Sequence, residues 1–392
     1  MIPKLRNKYN REFSQSAYRQ FLNDLDSSVG YPTDFRVSET PVFLTPEITF
    51  ELINAGNEII TSLRSDEFKE HSKSAVPEKL NVAGEDSHPC FMQIDYAICE
   101  DEKNKLVPRL IELQGFPSLY AYQYLLGRKI SQHFQIPDNF TSFFSGLDNK
   151  GYEKLLRKII LGDKDPANVI LMEIDPANQK TRIDFAETER ITGIRTVDIQ
   201  DIYQSGEDLF YNYRNKEIKI ERIYNRVIFD ELQRKKISIN FNIFDTLNVQ
   251  WAGHPNWFFR ISKHSLPFLK NEYNPDCYFL DEKDNYPDDL ENYVLKPLYS
   301  FAGHGVEIDL TKGFLDSIND RKNYILQQKI NYAPIIETPD EPAKVEIRMM
   351  YLWKDEPVLV NNLVRMSKGK MMGVDYNKNK TWIGSSIAFH KK

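Results

Sequence analysis

The sequence is poor in cysteine, has no strong excess of either charge and contains no long apolar run. Its three cysteines, Cys90, Cys99 and Cys277, form no CxxC pair, so neither a disulfide framework nor a cysteine-based metal site is expected. The 51 basic residues against 57 acidic ones leave a net charge of −6, which argues against nucleic acid and anionic membranes as partners. No apolar stretch is long enough to span a bilayer, and the start, MIPKLRNKYN, lacks the apolar core of a signal peptide. We therefore expect a soluble, cytoplasmic protein.

Motifs of several common enzyme classes are missing as well. The sequence contains no GxxxxGK[ST], no HExxH and no GxSxG, which argues against a P-loop, a zinc protease and a serine hydrolase of those kinds. Its seven histidines are scattered without ligand spacing, so a zinc site is not expected. With 41% hydrophobic and 28% charged residues, the composition is that of an ordinary globular protein.

The pattern of apolar residues divides the chain into four segments. In the first, residues 1–85, we expect mainly helices, one of which has Thr45 as its N-cap. The second, residues 86–135, contains the runs CFMQIDYAI and RLIELQG joined by a polar loop, which predicts a β-hairpin. A helix over residues 118–133 is expected to follow that hairpin.

The third and fourth segments mix strands and helices. Residues 140–250 open with the strand NVILMEI and then alternate helix and strand, which predicts a small Rossmann-like α/β domain. No GxGxxG follows that strand, so the domain is not expected to bind a dinucleotide. The fourth segment, residues 251–392, predicts an α+β arrangement. Its expected elements are a helix near 262–270 and strands near 292–297, 305–309, 323–330, 344–353 and 357–365.

The strongest local signal for chemistry is the stretch YVLKPLYSFAGHGVEIDL. Its first strand delivers Lys296, and a loop of small residues follows, with Ser300, Gly303, His304 and Gly305. Glycines let backbone N–H groups converge on an anion, and a lysine at a strand end neutralises phosphate charge. The alternative is an ordinary hairpin with a glycine-rich turn and a solvated lysine.

Two further features flank that loop. Lys263 begins the predicted helix in WFFRISKHSLPFLK, and the strand NYILQQKI ends in Gln327, Gln328, Lys329 and Ile330. The lysine is a candidate phosphate ligand, and the strand end can offer backbone donors and acceptors to a purine. Viewed separately, the two features are better explained as a solvated surface lysine and an ordinary strand leaving the core.

Two arginines occupy neighbouring predicted strands. In VEIRMMYLW, Glu346 and Arg348 share one strand face, and Arg365 lies on the following strand. Arginines so placed can grip a phosphate or a carboxylate with two hydrogen bonds each. A surface ion pair with Glu346 is the competing interpretation.

This order of features resembles the ATP-grasp superfamily. Its members have a lysine on one subdomain, a strand lysine beside a flexible glycine-rich loop, an adenine-hinge strand and a following strand with an arginine. Here those positions are matched by Lys263, Lys296, Ser300–Gly305, Gln327–Ile330 and Arg348. The usual fold continues into an acidic strand and a Glu-x-Asn strand that hold magnesium, and no such strands follow in this sequence.

The early hairpin contains the pattern that is missing at the end. Asp95 lies on its first predicted strand, and Glu112-Leu113-Gln114 lies on its second. Magnesium prefers a few carboxylate oxygens together with phosphate and water oxygens. Asp95 and Glu112 are therefore candidate ligands, and Gln114 is a candidate neutral third ligand. The alternative is a partly exposed hairpin with charges on its solvated face.

The rearranged order resembles the circularly permuted ATP-grasp ligases, notably the synthetase domain of glutathionylspermidine synthase. In that family, too, an Asp strand and a Glu-x-Asn strand precede the lysine and glycine-rich elements. The resemblance covers roughly residues 90–125 and 250–392, and the middle segment is similar to the α/β domain beside ATP-grasp cores. Two departures matter, because Gln114 replaces the usual Asn and the loop FAGHG contains no arginine.

The resemblance implies an ATP- and magnesium-dependent ligase that joins a small-molecule carboxylate to an amine through an acylphosphate. Residues 86–135 would form the metal-binding half of the core, and residues 251–392 the nucleotide-binding half. Arg348, supported by Arg365, would stabilise charge on the transferred phosphoryl group. Two rivals stay open, an inactive nucleotide-binding module and an ATP-dependent kinase that phosphorylates a hydroxyl.

The middle segment offers one candidate for holding the substrate. Arg226, in IYNRVIFDEL, ends a predicted strand, and its guanidinium can hold a carboxylate. A structural ion pair is an equally good explanation of this residue.

Overall fold

Helices dominate the early part of the chain and strands the remainder. The computed structural model describes residues 1–282, 286–300 and 305–392, and it has a mixed α+β structure. No helix in these ranges is both long enough and apolar enough to cross a membrane. The α-helices are α1 (Pro3–Arg11), α2 (Gln15–Ser27), α3 (Pro46–Arg64), α4 (Asp66–Lys73), α5 (Tyr120–His133), α6 (Asn149–Leu161), α7 (Arg182–Thr192), α8 (Phe229–Lys235), α9 (Asn256–Arg260) and α10 (Lys312–Asp316).

The strands assemble into several separate sheets. In chain order they are β1 (Val42–Phe43), β2 (Phe91–Glu100), β3 (Leu106–Gln114), β4 (Phe140–Thr141), β5 (Val169–Glu173), β6 (Arg195–Asp198), β7 (Tyr203–Ser205), β8 (Asp208–Tyr213), β9 (Lys216–Ile220), β10 (Arg222–Asn225), β11 (Gln250–Ala252), β12 (Cys277–Phe279), β13 (Tyr293–Pro297), β14 (Tyr324–Gln328), β15 (Lys344–Trp353), β16 (Pro357–Ser367), β17 (Gly384–Ser386) and β18 (Ala388–Lys391).

Helix α3 forms where the amphipathic pattern of the first segment is strongest. The Thr45 hydroxyl accepts a hydrogen bond from the Ile48 N–H at 3.4 Å, which confirms Thr45 as the N-cap. The apolar residues of α3 recur every three or four positions, so they share one face and pack into the largest core of the protein.

A five-stranded antiparallel sheet, β17-β16-β15-β2-β3, joins the early hairpin to strands near the end of the chain. One of its faces is apolar, with Ile94 and Tyr96 of β2 beside Ile347 and Met349 of β15, and belongs to the same core as α3. Because side chains alternate between faces, the intervening polar residues all lie on the opposite face. The hairpin is the one that the sequence predicts.

A parallel sheet, β11-β10-β5-β6, forms in the third segment, as the alternation of strand and helix predicts. Helix α7 ends at Gly193, whose φ of +82° is the left-handed conformation that a glycine at a helix end supplies. An antiparallel meander, β7-β8-β9, lies between β6 and β10 in the chain.

A small antiparallel sheet, β12-β14-β13, follows in the fourth segment. The strand predicted at 305–309 is wrong, because that range makes only a single bridge, Leu295 with Glu307, after the left-handed turn at Gly305 (φ +73°). The helix expected near 262–270 is a short 3-10 helix, Lys263–Phe268, because Pro267 lacks the N–H that an α-helix needs.

Strand β18 belongs to a sheet that the sequence did not indicate. Strand β18 lies between β1, which it pairs in parallel, and β4, which it pairs in antiparallel fashion. Two-residue strands are too short to show an alternating pattern, so only the tertiary structure identifies them.

The predicted helix over 118–133 begins at Tyr120 because Leu119 has a left-handed backbone, with φ of 63°.

Gly115 brings the end of β3 close to helix α9. Its N–H donates to the Ile261 carbonyl at 2.8 Å, and a Cβ atom at this position would lie 2.4 Å from the Trp257 carbonyl oxygen. A backbone contact this close leaves no room for any side chain.

We expect Gly115→Ala to lower the free energy of unfolding by about 1–3 kcal/mol, because the methyl group forces two backbone segments apart. Urea denaturation measures this. Gly313→Ala in α10 is the matched control, since nothing lies within 4 Å of its added Cβ, and it should be neutral or slightly stabilising. Equal stability of the two variants would contradict the close contact.

Candidate functional site

The polar face of the five-stranded sheet brings together the acidic residues of the hairpin and the two arginines. Asp95 of β2 lies directly opposite Glu112 of β3 on one side and Arg348 of β15 on the other. Glu346 of β15 lies opposite Arg365 of β16. Directly opposed residues on antiparallel strands share a face, so these five side chains form one cluster.

Asp95 is the centre of this charge cluster. Arg348 donates from Nε to Oδ1 at 2.6 Å and from Nη2 to Oδ2 at 2.7 Å, and Arg365 donates from Nη2 to Oδ2 at 2.9 Å. Arg365 also binds Glu346. The ion pair with Glu346 that the sequence left open therefore exists, but Glu346 is buried, with 3% of its surface exposed, and the pair belongs to the cluster.

Glu112 is the most accessible carboxylate around Asp95, with 18% of its side chain exposed against 1% for Asp95. Its Oε1 accepts a hydrogen bond from Gln114 Nε2 at 2.8 Å, and its Oε2 lies 3.5 Å from Lys263 Nζ. Burial raises the pKa of Glu112, but Lys263 above all, followed by Arg365, Arg348 and Lys296, lowers the pKa to about 2. Glu112 is thus ionised at neutral pH.

The two predicted phosphate-binding lysines reach the cluster from the fourth segment. Lys263 Nζ donates to the Ser300 carbonyl at 2.6 Å, and Lys296 Nζ donates to the Ile111 carbonyl of β3 at 3.1 Å. Burial lowers the pKa of Lys296 to about 8, while Glu112 opposes this shift and Lys263 adds to it. A buried amine with this pKa gains protonation when an anion approaches.

The strand end predicted to bind a purine is occupied in the structure by protein contacts. Gln327 is fully buried, and its Nε2 donates to the Leu110 carbonyl at 3.4 Å. The backbone N–H of Gln328 donates to the backbone carbonyl of Asp276, and the N–H of Lys329 donates to the backbone carbonyl of Asn292. Ile330, the next residue, is half-buried.

Two residues of the predicted phosphate loop, Gly303 and His304, lie outside the described residues. Ser300 lies at the near end of the loop, where its hydroxyl oxygen is buried and has no hydrogen-bond partner among residues 1–282, 286–300 and 305–392. At the far end, Gly305 packs against Pro297, which a Cβ atom would approach to 2.9 Å.

The cluster carries four cations, the two lysines and the two arginines, against the carboxylates of Asp95, Glu112 and Glu346. This surplus of positive charge fits a polyanion such as the phosphates of a nucleotide. The cavity between Glu112, Gln114, Lys263 and Ser300 is about 20 Å³, which is room for about one water molecule.

Magnesium fits part of this arrangement. Glu112 and the amide of Gln114 present oxygens of the kind that the ion prefers. Asp95 does not fit in this geometry, because Arg348 and Arg365 occupy both of its oxygens. Over the described ranges of the chain, no three His, Cys, Asp or Glu side chains gather in a group that could hold a metal ion.

One member of the cluster was missed by the sequence analysis. Gln93 accepts a hydrogen bond from Arg348 Nη1 at 2.8 Å and donates to the Ser118 carbonyl at 2.7 Å. Its position two residues before Asp95, on the same strand face, was the available signal.

Arg226 lies apart from the cluster, at the end of β10. Its guanidinium is buried, pairs with Asp184 at 3.3 Å and lies over the rings of Phe116 and Phe185. This is the structural ion pair that the sequence left open. Phe116 also lines the cavity beside Glu112, so Arg226 is separated from that cavity by one ring.

Near Arg226, at the end of the adjacent strand β5, lies a second buried carboxyl group that the sequence analysis missed. Glu173 is 5% exposed and accepts a hydrogen bond from the Ile174 N–H at 2.8 Å. Burial raises its pKa to about 8, although Arg226 acts in the opposite direction.

The comparisons with known proteins identify a fold. The structure is similar to that of a glutathione synthetase-like effector, GSS30, from Globodera pallida in its apo form, with a TM-score of 0.55 and 11% sequence identity. The match covers 90% of this chain and 94% of that one. No family model matches the sequence, and no curated protein matches it. The similarity to the solved structure thus shows that the chain has a glutathione synthetase-like fold.

We expect Asp95→Asn to destabilise the protein by about 3–5 kcal/mol, because it removes the carboxylate that pairs with the buried guanidinium of Arg348. Chemical denaturation at neutral pH measures the loss. Glu356→Gln is the control, since it breaks the exposed pair with Arg64 and should cost less than about 1 kcal/mol. A loss no larger than that of the control would show that Asp95 does not organise the cluster.

Glu173 predicts a dependence of stability on pH. The folded state keeps its carboxyl protonated up to a pKa of about 8, whereas the unfolded chain releases the proton near the ordinary glutamate pKa of 4.5. Folding therefore loses stability as pH rises from about 4.5 to 8, at up to about 1.4 kcal/mol per pH unit from this group. The Glu173→Gln variant should lose that slope in denaturation series across this pH range. An unchanged slope would mean that Glu173 is ionised in the folded protein.

Proposed function

We propose that this protein is an ATP- and magnesium-dependent carboxylate–amine ligase with a circularly permuted ATP-grasp fold. The observation that supports this most is the contact between the acidic hairpin and the lysines that follow it far along the chain. Lys263 lies 3.5 Å from Glu112, and Lys296 binds the backbone of the same strand. Residues that the resemblance assigns to two halves of one site are thus neighbours.

The similarity to a glutathione synthetase-like effector supports the fold part of this proposal. We further propose the division of the chain into an N-terminal helical segment (1–85), a metal-binding half (86–135), a Rossmann-like domain (140–250) and a nucleotide-binding half (251–392). The substrates would be a small-molecule carboxylate and an amine.

In the proposed reaction, an oxygen of the substrate carboxylate attacks the γ-phosphorus of ATP, and the bond to the bridging oxygen of ADP breaks. The amine then attacks the carbonyl carbon of the acylphosphate, phosphate leaves with its oxygen, and the amine nitrogen loses a proton. The products are an amide, ADP and phosphate. Catalysis consists of positioning and charge stabilisation, so the protein needs no nucleophilic side chain.

The charge cluster provides groups for each of these tasks. Lys263 and Lys296 would offset phosphate charge, and the exposed part of Arg365, at 37% of its side chain, can meet charge that develops on the phosphoryl group. Arg348 would act mainly by holding Asp95. Magnesium, when bound, would screen the phosphates, and Glu112 with Gln114 would hold it.

One observation favours a second candidate, a nucleotide-binding module without turnover. The saturation of Asp95 by two arginines leaves Glu112 as the single carboxylate directly available to magnesium. The presence of all four cations argues against simple decay of the site. Release of ADP with mixtures of acids and amines separates the two, and a phosphate ester as product would instead indicate a kinase.

We expect Lys296→Ala to weaken binding of ATP with magnesium by at least about tenfold, because a buried cation that faces the phosphates is lost. Glu112→Gln should abolish magnesium-dependent release of ADP while leaving the nucleotide bound. Calorimetry and an ADP assay measure the two effects.

Lys322→Ala removes an exposed lysine next to β14 and serves as the control for these variants. Its ATP affinity should equal that of the unmodified protein. If Lys296→Ala also binds ATP with unchanged affinity, the nucleotide site does not lie at this cluster.

A further inference from the structure

The two arginines of the charge cluster differ in how much of each side chain reaches solvent. The exposed fraction is 37% for Arg365 against 8% for Arg348. One nitrogen of Arg365, Nη2, meets both neighbouring carboxylates, Oδ2 of Asp95 at 2.9 Å and Oε1 of Glu346. Within the part of the chain that the structure describes, Nη1 donates no hydrogen bond and, unlike Nε, is not buried. Nη1 therefore keeps its two N–H donors for a ligand.

Glu346 is the main counter-charge of Arg365. Asp95 divides its oxygens between Arg348 and Arg365, whereas Glu346 lies directly opposite Arg365 on the paired strands β15 and β16. Burial lowers the pKa of Arg365, but Glu346 above all, followed by Asp95 and Glu112, raises it above its ordinary value. The loss of Glu346 should therefore affect Arg365 more than any other group in the cluster.

The second oxygen of Glu346 is held by Tyr332. The Tyr332 hydroxyl donates to Glu346 Oε2 at 3.3 Å. The backbone around Tyr332 is in turn fixed to β2, because Tyr332 forms a bridge with Cys99 and the Ala333 N–H donates to the Ile98 carbonyl at 2.9 Å. Glu346 thus has a separate partner for each oxygen, and both partners are attached to the five-stranded sheet.

Two carboxylates on one nitrogen restrict the orientation of the guanidinium. The two N–H groups of Nη2 point in different directions within the guanidinium plane, so two acceptors fix that plane. Asp95 alone would leave the group free to rotate about a single hydrogen bond. Glu346 therefore does more than neutralise Arg365, because it also sets the direction in which Nη1 presents its donors.

We propose that Glu346, held by Tyr332, is a positioning residue that orients Arg365 toward the terminal phosphoryl group of the nucleotide. Glu346 does not touch the ligand and acts through Nη1 of Arg365. The inference rests on the proposed function, in which Arg365 meets the transferred phosphoryl group. Since ADP lacks that group, Glu346 matters for the binding of ATP and not for the binding of ADP.

Calorimetry on the full chain with magnesium and either ATP or ADP tests this role. Arg365→Gln should lower the affinity for ATP by at least about tenfold and change that for ADP by less than about threefold, because only ATP loses a charged contact. Glu346→Gln keeps the size of the side chain and removes its charge. It should lower the affinity for ATP by about threefold to tenfold and leave that for ADP unchanged.

The double variant with Arg365→Gln and Glu346→Gln separates positioning from a structural role. It should bind ATP as Arg365→Gln alone does, because a positioning residue acts only through the arginine. Equal losses for ATP and ADP in Glu346→Gln, no loss for either, or a further loss in the double variant would overturn the inference while ATP binding by the unmodified protein still upholds the nucleotide site. If the unmodified protein binds no ATP, the proposed function fails and this inference fails with it.

Tyr332→Phe decides the question if Glu346→Gln does not fold, because it removes only a hydroxyl group. We expect it to lower the affinity for ATP by about threefold, through a less firmly held Glu346, and to leave that for ADP unchanged. Tyr31→Phe is the matched control, since Tyr31 is 46% exposed, and it should change neither affinity. Equal ATP affinities in the two tyrosine variants would contradict the series of contacts on which the inference depends.

Discussion

The carboxylate of Asp95, buried between two arginines, is the constraint on which the rest of the structure depends. Removing a charge from water is costly, and the cost is offset only when the partners are close and well directed. Arg348 meets both oxygens of Asp95, and Arg365 adds a third hydrogen bond. A slip of β15 by one residue would turn Arg348 to the apolar face and leave Asp95 unpaired. The cluster thus specifies how distant parts of the chain align.

The same cluster explains how the small sheet docks on the large one. Lys296 and Gln327 donate to the backbone carbonyls of Ile111 and Leu110 on β3. Burial lowers the pKa of Lys296 more than the nearby carboxylate of Glu112 raises it. The contact between the two sheets therefore places a buried cation beside the charge cluster.

A glutathione synthetase-like fold at 11% identity shows that very different sequences support this architecture. Such divergence leaves the function to be argued from the sites, because one fold hosts many activities.

Much of the local structure follows from the sequence alone. The cap at Thr45, the hairpin β2-β3, the alternation of the parallel sheet and the strands that carry Lys296 and Arg348 are all predicted, because each depends on a pattern within a few residues. The two-residue strands β1 and β4 were not, because such brief elements lack a repeating pattern. The sequence also placed Asp95, Glu112 and Arg348 on strands that the structure contains.

The partners were decided by the tertiary structure. Sequence reasoning proposed Asp95 as a metal ligand and Arg348 as a phosphate ligand, each as a separate group, whereas folding joins the two in one buried ion pair. Arg226 and Glu173 likewise acquire their environment only when β5 and β10 pair side by side. The sequence by itself determined which residues could carry charge on a common strand face, since that requires only the period of two. Which charges neutralise each other, and which remain for a ligand, was decided by strand pairing across the whole chain, since Coulomb interactions depend on distances that no local pattern encodes.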